Sequence, residues 1–316
     1  MNLSVRQVFF FIFLVFLLSV IPVSAAPKTY KTGIYINRIK SYDTKIGLAE
    51  IDLWYWVVAE GEAPSLKNLE LSNGSLKPLG KPVTMQHNGR FYASMRYIAS
   101  AAAVVDMSRF PFDKQIVTLS FEDGDSIAED LIFVPDTGNS GIDRNFKMND
   151  WEIGKLALKT GNHYYSSSFG DLDLPSGQGS NYSQFLIELE LIRRGSFWQK
   201  IFKYFWAVIV SVIVGLFALL IRVCDLDARF GMAVGALFAN VGCSFLLSDL
   251  LPKSTIVSLA EMISFISLGF IMIFLVESII SLNFYNRGRV KVSRYMDWAV
   301  FGICSASYAV MWPVMI

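Results

Sequence analysis

The chain has 316 residues and a net charge of +1, and 53% of its residues are hydrophobic while only 17% are charged. This composition is too apolar for an ordinary soluble protein of this length and indicates a membrane protein. The small net charge gives no electrostatic basis for a nucleic-acid partner. The two histidines and three cysteines are scattered along the chain, so we expect no metal site and no cofactor.

Residues 1–25 predict a secretory signal peptide. One arginine lies within residues 1–7, an apolar run rich in Phe and Leu covers residues 8–20, and Val23, Ser24 and Ala25 supply the cleavage site. An uncleaved membrane anchor is the alternative. In either case the segment that follows is expected to be exported.

Residues 26–194 contain no cysteine and predict an all-β extracellular sandwich, immunoglobulin-like, of about ten strands. The period-two pattern is clearest over residues 48–58, where apolar and polar side chains alternate. One face carries Ala49, Ile51, Leu53, Tyr55 and Val57, and the other carries Glu50, Asp52, Trp54 and Trp56. Without disulfides, a hydrophobic core must stabilise this domain.

Residues 195–316 predict a four-helix transmembrane pore domain. Four apolar segments, at about 199–222, 230–251, 255–282 and 295–316, each reach the ~20 residues that a helix needs to cross the hydrocarbon core. The third connection carries four basic residues, namely Arg287, Arg289, Lys291 and Arg294. Such a loop belongs in the cytoplasm. We therefore expect a multi-pass inner-membrane protein whose N-terminal domain and C-terminus are periplasmic or extracellular.

One face of the second predicted helix has the composition of a pore lining. Seven residues repeat there at steps of three and four, namely Asp227, Gly231, Gly235, Phe238, Gly242, Phe245 and Asp249. Around a shared axis, a carboxylate ring at each end would concentrate cations. Phe238 and Phe245 would form apolar constrictions that act as the gate. The alternative is that the three glycines are close-packing sites between helices.

Several motifs resemble one known family. The run Arg109-Phe110-Pro111-Phe112-Asp113-Lys114-Gln115 is similar to the FPFDxQ core of the Cys-loop in pentameric ligand-gated channels. Ala103 and Val117 stand where animal receptors have cysteines, which is the bacterial pattern. Residues 191–198 resemble the junction before the first helix, and residues 250–255 resemble the link between the second and third helices. Over about residues 30–316, the chain resembles a bacterial pentameric ligand-gated ion channel of the Cys-loop receptor superfamily.

The resemblance implies a homopentamer around the second helix, with gating transmitted through the junction between the two domains. Carried onto this sequence, the gating junction consists of Asp113, Arg194, Pro252 and Lys253, which meet a loop at residues 42–45. A carboxylate and a guanidinium there would form a bidentate pair, so we expect Asp113 to bind Arg194. The alternative is that Asp113 only caps the turn made by Pro111. The first helix departs from the family because it lacks the usual proline.

The resemblance also implies a ligand site at each subunit interface. Six aromatic residues are the candidates for binding the ligand, namely Trp54, Trp56, Tyr164, Tyr165, Phe169 and Tyr182. The segment 161–182 falls where the family places a capping loop. Clustered aromatic rings suit an organic cation such as an amine. The alternative is that these rings pack between subunits.

Protons are a second possible stimulus. Candidate sensors are Glu122, Asp123 and Asp125 in the sandwich, and Glu261 and Glu277 in the third predicted helix, because a carboxylate in a membrane segment is a functional candidate. We expect Glu277 to pair with Arg222 or Arg287.

The predicted function is therefore a pentameric ligand-gated channel, cation-selective, opened by a small molecule at the subunit interface and conducting monovalent cations. A proton-gated channel of the same fold and a non-conducting sensory receptor are the alternatives. No nucleophile triad, phosphate-binding loop or metal spacing occurs in the sequence, so we expect no enzyme activity. The expected partners are four identical subunits, membrane lipid and the agonist.

Overall fold

Alternating apolar residues in the N-terminal half form ten strands in two sheets. The structure, a computed structural model, describes residues 26–170, 179–253 and 256–316, so the predicted signal peptide lies outside the described residues. The strands are β1 (Lys28–Asp43), β2 (Leu48–Glu60), β3 (Leu69–Leu71), β4 (Gly74–His87), β5 (Arg90–Ala102), β6 (Lys114–Asp123), β7 (Leu131–Pro135), β8 (Gly141–Ile142), β9 (Trp151–Tyr165) and β10 (Ser180–Arg193).

The two sheets enclose one hydrophobic core. The first sheet has the order β4-β5-β2-β1-β7, with β8 also paired to β1, and the second has the order β3-β6-β10-β9. The apolar face predicted for β2 points inward, since Ala49, Ile51, Leu53, Tyr55 and Val57 are all buried. Tyr55 contacts Phe121 and Phe185 of the opposite sheet, at ring-centroid distances of 5.1 and 6.4 Å. The predicted β-sandwich is confirmed.

Helices follow the sandwich directly. They are α1 (Phe197–Tyr204), α2 (Trp206–Ala218), α3 (Leu226–Leu250), α4 (Leu259–Asn286) and α5 (Val290–Met315). Three of them, α3, α4 and α5, are long and apolar enough to cross a membrane. A membrane protein is therefore supported by three spans, and α1 with α2 could form a fourth only as a bent pair.

The first predicted helix is not continuous. Residues 199–222 form two helices that meet at 65° around Phe205, and α2 ends at Ala218. A capping box starts α1, because Ser196 and Gln199 satisfy each other's backbone N–H groups. Phe205 is buried against Trp312 of α5, at a centroid distance of 5.4 Å. Packing at Phe205, rather than a proline, accompanies the bend.

The other helix boundaries also differ from the predicted ones. Helix α3 begins four residues earlier than expected, at Leu226, and α5 begins at Val290 rather than at residue 295. Helix α4 begins at Leu259 rather than at residue 255. A second capping box explains this start, because Glu261 N–H donates to Ser258 Oγ over 3.2 Å and Ser258 N–H donates to Glu261 Oε2 over 2.9 Å. Glu261 is therefore engaged at a helix start.

The two domains share an apolar cluster where the sandwich meets the helices. Met107 and Phe110, from the loop before β6, pack with Ile201 and Phe205, with the C-terminal end of α3 and with the N-terminal end of α4. The backbone N–H of Leu259 also donates to the carbonyl of Ser108 over 2.8 Å. The sandwich is thus joined to the helices by packing and by a backbone hydrogen bond. All three cysteines, Cys224, Cys243 and Cys304, are free thiols of the helical part.

Candidate ion pathway and gating junction

Helix α3 has two faces of opposite character. The seven residues predicted to line a pore, Asp227, Gly231, Gly235, Phe238, Gly242, Phe245 and Asp249, are all exposed in the single chain. The opposite face is buried and carries Arg229, Ala233, Ala236, Asn240 and Leu247. The rings of Phe238 and Phe245 are 68% and 73% exposed. The bundle therefore leaves this face of α3, which we call the α3 stripe, uncovered.

The glycines of the α3 stripe do not serve packing within one subunit. A methyl group added at Gly231, Gly235 or Gly242 would have no described neighbour within 4 Å. Gly215 of α2 differs, because an added methyl would lie 2.9 Å from the buried ring of Phe274. Among the described residues, close helix packing therefore uses Gly215, and the three stripe glycines face open space in the single chain.

Two polar contacts fix the rotation of α3 in the bundle. Near its middle, Asn240 Nδ2 donates to Ser211 Oγ of α2 over 3.2 Å, and both residues are buried. Near its N-terminal end, Arg229 is fully buried and donates through Nε to Ser278 Oγ over 2.8 Å. Because buried polar groups must be paired, these contacts hold the stripe outward.

Arg229 also forms an ion cluster with two carboxylates. Its Nη2 contacts Glu277 Oε2 of α4 and lies 2.7 Å from Asp297 Oδ1 of α5. Asp297 Oδ1 also accepts a hydrogen bond of 2.9 Å from Ser281. The prediction that Glu277 pairs with Arg222 or Arg287 is wrong, because the guanidinium of Arg229 projects into the bundle from the buried face of α3. The cluster joins three helices.

Asp113 forms the expected bidentate pair, but with the neighbouring arginine. Arg193 Nε lies 2.6 Å from Asp113 Oδ1, and Nη2 lies 3.1 Å from Oδ2. Arg194 instead donates to the carbonyl of Met148 over 3.2 Å and lies 3.8 Å from Glu152. The predicted pair of Asp113 with Arg194 is wrong, because Arg193, the last residue of β10, lies on the inward side of the strand, whereas Arg194 follows the strand and is exposed.

The Arg193 guanidinium is enclosed by aromatic rings. Its central carbon lies 4.8 Å from the ring centroid of Phe110 and 4.4 Å from that of Trp151. Trp151 in turn meets Tyr42 edge-to-face at 5.4 Å. Burial raises the pKa of Tyr42 to about 12, and the nearby Asp113 carboxylate adds to the rise. The ion pair and the three rings come from four distant chain segments and form one unit at the base of the sandwich.

The loop after β1 reaches the C-terminal end of α3. Lys45 Nζ lies 3.7 Å from Asp249 Oδ1, so this loop contacts the last residue of the stripe. Pro252 is half-buried and Lys253 is exposed, and residues 254–255 of the predicted link lie outside the described residues. The Lys45–Asp249 ion pair is the described polar contact between this loop and α3.

Five of the six aromatic candidates form two groups, one on the sheet of β2 and the other around β9 and β10 of the second sheet, and Tyr164 belongs to neither group. On β2, Trp54 is partly exposed, and Trp56 donates through Nε1 to Asp136 Oδ2 over 3.2 Å. On the other sheet, Tyr165 lies 5.2 Å from Phe169 and 5.5 Å from Tyr182 between ring centroids.

Tyr164 lies apart from both aromatic groups. Part of the predicted capping segment lies outside the described residues. Tyr164 projects from the opposite face of β9 to Tyr165 and lies against Gly179. Residues 171–178 of the predicted capping segment are outside the described part of the chain.

A buried carboxylate lies beneath the second aromatic group. Glu122 lies 3.1 Å from His163 Nδ1 and accepts a hydrogen bond of 3.0 Å from the Tyr165 hydroxyl. It also accepts from Gln184 Nε2. Burial, with this hydrogen bond to Glu122, raises the pKa of Tyr165 to about 12. Glu122 is a candidate from the sequence and His163 is not, because the two residues lie on β6 and β9, which come together only by pairing with the two edges of β10.

No family model matches the chain, and no curated protein matches it. Its relation to pentameric ligand-gated channels therefore remains a resemblance carried by the motifs around Asp113, Arg194 and Pro252.

Proposed function

We propose that this chain is one subunit of a homopentameric ligand-gated cation channel. The observation that carries the proposal is the exposed α3 stripe, which has a carboxylate at each end and opposes a buried face fixed by Arg229 and Asn240. An ionised carboxylate is costly in contact with lipid, whereas it is favourable at the mouth of a water-filled path. A ring of such helices would shield the stripe from lipid and place it along a water-filled path.

Phe238 and Phe245 would control conduction. Their rings project from the same face as Asp227 and Asp249, with glycines between them. In a ring of subunits, each phenylalanine would narrow an apolar passage that can lose its water and block ions. The glycines would leave the neighbouring levels wide.

The proposed topology has four spans. Helices α1 and α2 would act as one bent span, with the amphipathic α1 at the outer membrane surface. The basic connection around Arg287 and Arg289 would face the cytoplasm, which places the immunoglobulin-like sandwich outside an inner membrane.

The proposed agonist site lies between subunits. The group of Trp54 and Trp56 on one sheet and the group of Tyr165, Phe169 and Tyr182 on the other would meet across the interface, because one subunit holds them on separate sheets. Aromatic rings on both sides would bind an organic cation through cation–π attraction.

Protons are a second candidate stimulus, favoured by the Glu122 site. His163 Nδ1 is held 3.1 Å from the buried carboxylate of Glu122, and this contact links β9 to β6 beneath Tyr165.

The test has two stages. Class averages of detergent-purified particles should show five-fold rings, which a monomeric or dimeric receptor would not give. Planar-bilayer recordings should then give sodium and potassium currents that open with an amine or with acid. Current carried by chloride would contradict the roles of Asp227 and Asp249, and complete silence across pH and amines would favour a non-conducting receptor.

A further inference from the structure

A cavity lies at the opposite end of the helices from the sandwich. It has a volume of about 430 Å³ and opens between the segment that follows α2 and the first turns of α5. Arg222 and Arg294 line it from these two elements, and Ser293 lies between them in the wall. We call it the arginine cavity. None of the residues of the α3 stripe or of the gating junction lines it.

The charge of the arginine cavity is positive at its mouth. Both arginines are exposed, and neither forms an ion pair with a described residue. The cavity has one acidic lining residue, Asp297, whose Oδ1 is already bonded to Arg229 and Ser281 inside the bundle. Lys291 shares an adjoining cavity of about 370 Å³ with Arg294, which adds a third cation at the same end. An anion would therefore meet unpaired guanidinium groups.

The remaining walls are apolar and aromatic. Leu219 and Leu220 line one side, and Trp298 and Tyr285 line the other. Trp298 lies one helical turn beyond Arg294, and its side chain is exposed on the outside of α5. Exposed tryptophan beside basic side chains at the end of a spanning helix is typical of the membrane–water interface. In a membrane, the apolar side of the arginine cavity would therefore face lipid chains.

We propose that the arginine cavity binds the phosphate group of an anionic phospholipid. Arg222 and Arg294 would donate charge-assisted hydrogen bonds to the phosphate oxygens from two separate elements. Trp298 and the two leucines would contact the first part of the acyl chains. The bound lipid would hold the end of α2 against α5. Without the lipid, α5 packs mainly on α4. This site requires only that the helices cross a membrane, and it is independent of channel activity.

The test uses the full chain in detergent and measures its thermal unfolding midpoint against added lipid. Dioleoyl-phosphatidylglycerol should raise the midpoint, whereas dioleoyl-phosphatidylcholine and inorganic phosphate at equal concentration should not. The R222Q/R294Q variant should need about tenfold or more phosphatidylglycerol for the same rise. Native mass spectrometry should show fewer retained phosphatidylglycerol molecules on this variant.

The matched control is R287Q/R289Q, which removes the same charge from the adjacent connection but leaves the cavity lining intact. It should respond to phosphatidylglycerol as the original chain does. If R222Q/R294Q does not fold, R222K/R294K replaces it and should bind more weakly than the original chain. Equal loss in the control, an equal effect of phosphatidylcholine, or full stabilisation by inorganic phosphate alone would each overturn the proposal.

Discussion

Arg193, and not the next residue, holds Asp113 in a two-point ion pair of 2.6 and 3.1 Å at the base of the sandwich. Asp113 is 1% exposed and Arg193 13% exposed in their side chains, so neither charge can be solvated if its partner is removed. Gln115 supports the same carboxylate through a hydrogen bond of 2.8 Å. The junction therefore depends on one arginine of an adjacent pair.

Replacing each of the two arginines separately by glutamine tests which of them binds Asp113. Arg193→Gln should lower stability by about 3–5 kcal/mol, because it strands a buried carboxylate. It should also abolish agonist-evoked current in recordings from the reconstituted protein. Arg194→Gln is the matched control and should cost less than about 1 kcal/mol, since its partner Glu152 is exposed. Wild-type behaviour of the Arg193 variant with loss in the Arg194 variant would reverse the assignment.

Asp52 makes the sandwich sensitive to acid. Hydrogen bonds from Arg96, at 2.8 Å to each oxygen, lower its pKa from 3.8 to about 2 although burial opposes the shift. A lowered folded-state pKa stabilises the fold above pH ~4, and this contribution is lost as the pH falls through about 2. Asp52→Asn should remove roughly 2 kcal/mol at neutral pH and flatten the stability profile in this window. Circular dichroism of thermal unfolding from pH 2 to 7 measures both effects.

The stripe glycines distinguish a pore from a packing surface. Gly235→Ala should leave the unfolding midpoint unchanged or slightly raised, because nothing described lies within 4 Å and alanine favours helix. In a pore it should reduce single-channel conductance. Gly215→Ala, in the same bundle, should destabilise by about 1–3 kcal/mol through contact with Phe274. If Gly235→Ala instead breaks the oligomer, the glycines pack helices between subunits.

The two phenylalanines of the stripe should differ from its carboxylates in their effects. Phe238→Ala should widen the apolar passage and give current without agonist, while the cation-to-anion ratio stays the same. Asp249→Asn should leave gating intact and lower that ratio, because it removes a ring of negative charge. Reversal potentials in asymmetric salt separate the two results. If neither Phe238→Ala nor Phe245→Ala gives current without agonist, these rings do not form the gate.

Removal of Arg229 alone should destabilise the helices strongly, whereas replacement of all three charged residues of the cluster should destabilise them little. Arg229→Met should lower stability by about 3–5 kcal/mol, because Glu277 and Asp297 remain buried without their counter-ion. The triple change R229M/E277L/D297L should recover most of the loss, since it removes every buried charge together. Thermal unfolding in detergent gives the comparison. A triple variant as unstable as the single one would mean that the cluster specifies the packing itself.

The general architecture could be predicted from residue patterns, because period two and long apolar runs depend on each segment alone. The inward face of β2 and the outward stripe of α3 are the clearest cases. The inward orientation of Arg193 also follows from the local pattern, since Phe185, Ile187, Leu189 and Leu191 alternate inward and Arg193 continues their parity. The family resemblance points to Arg194 instead.

Other features depend on contacts between distant segments and are not encoded locally. The bend at Phe205 is accompanied by packing of its ring against Trp312, which lies more than a hundred residues further along the chain. The partner of Glu277 depends on how α3 and α4 are rotated against each other. His163 approaches Glu122 only because β9 and β6 both pair with β10. Each requires the tertiary arrangement, which a single sequence does not supply.

The placement of the three thiols makes the molecule convenient for spectroscopy. The described sandwich has no cysteine, and Cys304 is buried within the bundle. After Cys224 and Cys243 are replaced by serine, a single cysteine introduced at Lys45 or Phe169 would carry a spin label or fluorophore on a silent background. Distances between such labels, measured with and without agonist or acid, would report directly whether the loop above Asp249 moves when the stimulus arrives.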